Sequence, residues 1–207
     1  MQEKNSVNKR VSTATHTASR TLCLMLLGSF AVTAPLLSQS GTAMNHSDHT
    51  QVPAELVQVV RQATGKFIHA DAAIAAGYNP VLGCVSGPDH GAMGVHYLNG
   101  NLLNGDLDAT QPQALIYEPM GEGRMRLVGV EFIVDANTWW EKQKKEGVTN
   151  PAPPQLYEQL FQLVPSPNRY NLDTFFELHV WAWQDNPNGA FVDWNNAVTC
   201  DHQGSNL

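Results

Sequence analysis

The chain has 207 residues, is 43% hydrophobic and carries a formal net charge of −7. That length suits one main domain with a sizeable core. The acidic balance argues against nucleic acid and against anionic membrane surfaces as partners.

Lys4, Lys9, Arg10 and Arg20 precede the uncharged stretch "TLCLMLLGSFAVTAPLL", and small residues follow as far as Ala43. A basic flank, an apolar segment and a small-residue end predict a signal peptide over 1–43, cut after Ala43. Gly28 and Pro35 interrupt the apolar run, which is short for a permanent anchor. The expected product is exported to the periplasm or the medium and is free of the membrane after cleavage. Losing four basic residues against Glu3 alone leaves it more acidic still. With Cys23 removed, Cys84 and Cys200 remain, and in an oxidising compartment two cysteines most simply form one disulfide. A thiolate pair on a metal is the alternative.

Cleavage after Ala43 would expose "MNHSDHT" as the new terminus. A free amine, two deprotonated amides and the imidazole of His46 in third place make a square-planar set for Cu(II) or Ni(II), with His49 as an axial contact. The competing expectation is that 44–52 is a solvated, disordered tail.

Residues 53–207 are expected to form a single α+β domain. Leu56, Val60, Ala63, Phe67, Ala70 and Ile74 recur at steps of four and three, which predicts one long amphipathic helix over 53–76. Pro53 suits its first turn and Gly77 its end, while His69 falls off the apolar stripe and belongs to the surface. The period then changes. "AMGVHYL", "ALIYEP" and "MRLVGVEFIV" are β-rich runs, the last two joined by the glycine-rich hairpin connector "MGEGR". "NTWWEKQKKEG" predicts a short helix capped by Asn137 and stopped by Gly147. After the proline-rich "VTNPAPPQ", "QLYEQLFQLV" predicts a second short helix, and "TFFELHVWAW" the last strong strand. The remainder is turn-rich, with Trp194 expected in the core. Together these predict a long N-terminal helix packed on a curved, mainly antiparallel sheet with short inserted helices.

Three of the apolar strands each carry an ionisable residue: His96, Glu131 and His179. Strand alternation places Glu131 with Leu127, Gly129 and Ile133, and His179 with Phe175, Glu177, Trp181 and Trp183. An unpaired charge among such neighbours is costly, so something must satisfy these groups. Two imidazoles and a carboxylate can converge on one divalent transition metal, and His90 offers a fourth ligand. The donor types fit Zn, Fe, Mn or Cu without choosing among them. Two alternatives stay open: a metal-free pocket in which Glu131 acts as acid or base, and a structural Glu–His network.

The segments "AGY", "GAMGVHYLN", "PQALIYEP", "LVGVEFIV", "ELHVWAW" and "NPNGAFVDWNNAVTC" together resemble an uncharacterised family of small exported bacterial proteins with no assigned activity. The resemblance spans about residues 75–200 and implies that Cys84, His96, Glu131, His179 and Cys200 belong to the family pattern. It implies no reaction. Asn196 stands where that pattern has proline. The expected function is therefore an exported metal-binding protein with a mononuclear His/Glu site. Metal-activated water or redox chemistry on a small molecule is the reaction class such a site would serve, with Glu131 as the catalytic group. The competing functions are a binding protein for a small apolar ligand and an envelope structural module.

Overall fold

The computed structural model describes residues 54–204. The segments expected as signal peptide and tail, with Pro53, lie outside the described residues. The helical run over 53–76 is not one helix. It is α1 (Glu55–Thr64), a 3-10 turn (Gly65–Phe67) and α2 (Ala70–Ala75). The break has a local cause. Thr64 Oγ1 donates to Val60 O at 2.7 Å, a back-bond that bends helices, and His69 is extended (φ −98°, ψ 127°) as it caps α2. The apolar stripe therefore loses its phase: Leu56, Val60, Phe67 and Ala73 are buried, whereas Ile74 is exposed. His69 is exposed, as expected.

The strands are β1 (Asn79–Gly87), β2 (Gly91–Leu98), β3 (Ala114–Pro119) and β4 (Met125–Asp135). After α3 (Ala136–Lys145) come the two-residue strands β5 (Gln155–Leu156) and β6 (Gln159–Leu160), then β7 (Gln162–Val164) and β8 (Phe175–Val180). β1 is an additional strand that the apolar pattern does not announce. Six of these strands form one antiparallel sheet in the order β1-β2-β3-β4-β8-β7, curled into a half-barrel. The α+β class holds. The helix expected over 155–164 does not form; β5 and β6 pair instead around Tyr157 and Glu158, both at positive φ (47° and 66°). Two consecutive left-handed residues make a tight hairpin turn that helical spacing cannot foresee. α3 matches expectation, although its cap is Asp135, which accepts from Thr138 N at 2.7 Å.

The sheet has two unlike faces. One carries Val95, Tyr97, Leu115, Tyr117, Val130, Phe132, Phe176, Leu178 and Val180 into the main core with α1. Arg61 Nε donates to Ala182 O at 2.6 Å and Trp183 Nε1 to Thr64 Oγ1 at 3.0 Å, tying α1 to the end of β8. Trp183 thus joins the α1 side and parts from His179, because the strand ends at Val180 and alternation ends with it. The other face holds two small apolar clusters, Ala92, Ile116, Val128, Trp181 and Val198, and Ala114, Ile133 and Phe175.

The C-terminal segment crosses this second face. Ala92 and Asn195 exchange two backbone hydrogen bonds of 3.1 Å, and Thr199 N donates to Glu118 Oε1 at 3.0 Å. The Cys84–Cys200 disulfide closes the segment against β1. Gly94 lets β2 approach closely: its φ is +102°, and a Cβ there would lie 2.7 Å from Tyr117 O. Gly94→Ala is expected to destabilise the fold by at least roughly 1–3 kcal/mol from backbone strain alone, measured by urea unfolding.

Candidate metal centre

His96, Glu131 and His179 come from β2, β4 and β8 and meet on the second face. Glu131 and His179 are direct partners across β4 and β8. His96 lies across β3, where Ile116 faces it and Ala114 faces Glu131. Besides Trp183, the alternation that predicted these faces fails within β4. Register shifts between Ile116 and Tyr117, so Val128 bulges, Leu127 turns to the main core and Val128 joins the site face. Glu131, beyond the bulge, keeps its predicted side.

Each of the three can offer a ligand atom lying within 4.8 Å of the other two, and all three residues are at most 1% exposed. His96 Nε2 is 3.4 Å from Glu131 Oε2. That is longer than a formed hydrogen bond and close to the ligand–ligand edge of a tetrahedral ion, roughly 3.3 Å for bonds near 2.0 Å. Both nitrogens of His96, both nitrogens of His179 and both oxygens of Glu131 are buried without a hydrogen-bond partner. Only Tyr170 Oη shares that condition among the described residues. Buried polar groups nearly always have partners, so this concentration in one spot is a feature to be explained.

The surroundings set the charge states. Burial, then the neighbouring His179 and Arg169, push the His96 imidazole down to about 3. Burial, then Glu177, hold the Glu131 carboxyl well above its ordinary range. Without a cation, His96 is therefore neutral at neutral pH, and the burial of Glu131 favours its protonated form.

Two carboxylates adjoin the triad. Glu177, on the same face of β8, and Asp193, in the C-terminal segment, form a second acidic group with His179. His179 Nδ1 stands 3.5 Å from Asp193 Oδ1. Burial works to raise Asp193, but His179, Gln162 and Arg169 outweigh it and hold the carboxyl below its ordinary value. Gln162 Nε2 donates to Asp193 Oδ1 at 2.7 Å, and Trp181 Nε1 donates to Val192 O at 2.6 Å, fixing the segment beside the histidine. With Nδ1 directed at a carboxylate, Nε2 remains as the free donor of His179, the usual way a carboxylate orients a ligating imidazole. A cavity of about 200 Å³ reaches this outer side, lined in part by Arg169, Tyr170, Glu177 and Asp193. Trp194, expected in the core, is half-buried at this cavity, with the Arg169 guanidinium 5.3 Å from its ring.

His90 does not join the cluster. It is exposed in the turn between β1 and β2, because "GPDH" serves to reverse the chain. Cys84 and Cys200 are bonded to each other, which removes the thiolate-ligand alternative. His46 lies outside the described residues. Asp193 and Tyr170 escaped the sequence reading since both sit in irregular segments with no periodicity. Asp193 lies three residues before the "NAVTC" end that Cys200 marks, the one signal near it. No protein-family model matches the chain, and no curated protein or solved structure matches it, so the function must be read from this geometry.

Proposed function

We propose that the protein is an exported metal-binding protein whose mononuclear centre is made by His96, Glu131 and His179. One observation carries the reading: three fully buried residues of the sheet each bring one ligand atom to within 4.8 Å of the other two, and no hydrogen bond joins them. Export is supported by the disulfide, which belongs to an oxidising compartment. No helix among the described residues is long and apolar enough to cross a membrane. Two imidazoles and a carboxylate suit Zn, Fe, Mn or Cu, and three protein ligands leave positions for water or a small molecule. A bound ion would ionise Glu131 and offset its burial. A closed Glu–His network is a poorer account, since no hydrogen bond joins the three residues. A pocket for an apolar ligand is poorer too, because charged side chains line the adjoining cavity.

Elemental analysis of untagged protein is the direct test. The wild type is expected to carry one transition-metal ion per chain, and the His96→Ala/His179→Ala variant none. Stoichiometric metal retained by that variant would overturn the assignment. Ala114→Leu is a second probe, since Ala114 is fully buried and is the cross-strand partner of Glu131. Overpacking is expected to cost roughly 1–3 kcal/mol in urea unfolding, and metal uptake should fall with it.

A further inference from the structure

We propose that Tyr170 supplies a fourth ligand, its phenol oxygen, to the ion held by His96, Glu131 and His179. This rests on the metal reading and adds a donor from outside the sheet. Two other buried tyrosines find acceptors: Tyr78 Oη donates to Pro112 O at 2.8 Å and Tyr117 Oη to Phe67 O at 2.5 Å. Tyr170 Oη is buried and has none. It is the seventh such atom among the described residues, and the other six belong to the triad. Its ring meets His96 edge-on, with centroids 5.8 Å apart, and packs at 5.9 Å on Phe175, which lies on the same sheet face as Glu177 and His179. A phenol left without an acceptor, on a ring that meets the His96 imidazole, would complete a His2GluTyr set.

The chemistry is a simple exchange. The O–H bond breaks, the O–metal bond forms, and the proton passes to solvent. An ion inverts the local preference, since burial and the Glu131 and Glu177 carboxylates otherwise hold the phenol far above its usual range. Two anionic oxygens with two imidazoles match a hard, highly charged ion, so the set favours Fe(III) over softer ions.

Ferric nitrilotriacetate and zinc chloride, each added to the untagged full chain, separate this proposal from the reading beneath it. The ferric protein is expected to show the visible charge-transfer band of iron-bound phenolate. Tyr170→Phe should lose that band and still take up one zinc. A ferric wild type without the band, or a band that survives in Tyr170→Phe, overturns the role of Tyr170 while zinc uptake by the wild type leaves the triad standing. Failure of the wild type to bind either metal overturns both. Should Tyr170→Phe fail to bind zinc, the wild type decides alone: zinc loading must give the ultraviolet difference spectrum of one phenolate, and its absence refutes the ligation.

Discussion

Zinc chloride at about a thousandfold excess over its dissociation constant is expected to raise the melting midpoint by about 10 °C near neutral pH. Mass action at that excess adds about 4 kcal/mol, and for a domain of this size each kcal/mol moves the midpoint by roughly 2–4 °C. His96→Ala/His179→Ala should melt at the same temperature with and without zinc. The dependence on pH reads the protons that the ligands give up. In the metal-free fold His96 stays neutral down to about 3, whereas an unfolded histidine takes up its proton near 6.5. Glu131 keeps its proton well above the 4.5 of an unfolded glutamate. Below 4.5 the unfolded pair binds two protons to the folded one, and stability falls on acidification towards 3. Above 4.5 an unfolded glutamate has lost the proton that folded Glu131 retains, so the contribution of Glu131 falls as pH rises towards its folded pKa; up to 6.5 the proton that folded His96 lacks and an unfolded histidine holds works the other way.

In Tyr170→Phe, metal binding displaces that retained proton alone, so zinc affinity should grow roughly tenfold per pH unit below the folded pKa of Glu131. The thermal increment is then larger at neutral than at acid pH. An increment that stays constant with pH would show that Glu131 does not ligate.

Cys84→Ser/Cys200→Ser is expected to lower stability by about 4–5 kcal/mol under the chain-entropy account, since the bond closes a very long loop. The cysteines are 116 residues apart. Urea unfolding of both forms measures the cost. A loss below about 1 kcal/mol would mean that backbone contacts such as the Ala92–Asn195 pair already restrain the segment, and that the covalent link adds little. The variant should also bind zinc more weakly, because the segment that carries Asp193 to His179 is the one released.

The sequence made the centre partly legible for a plain reason. His96, Glu131 and His179 each break an apolar strand, and the period of two shows which neighbours share their side. It failed where the backbone leaves that period. The bulge at Val128 exchanges the sides of Leu127 and Val128, and the end of β8 at Val180 sends Trp183 to α1. Helical spacing misled twice, over 53–76 and over 155–164. In the first case a threonine back-bond bends the helix, and in the second a left-handed residue pair turns the chain. His90 is only six residues from His96 in sequence, but a strand separates residues by extension, and His90 is exposed in its turn. Tyr170 and Asp193 reach the site from irregular segments, where position follows from individual hydrogen bonds and no repeat exists to read.

The bond between Asn195 and β2 bears on biogenesis. A polypeptide emerges from the ribosome N-terminus first, so every strand of the sheet is synthesised before the stretch containing Asp193, Asn195 and Cys200. A nascent chain can thus assemble the half-barrel and still leave His179 without its orienting carboxylate. The disulfide can form only after Cys200 has emerged, so the stretch that brings Asp193 to His179 is the last to be tied down. A chain truncated after β8 would retain all three sheet residues yet lack the carboxylate beside His179.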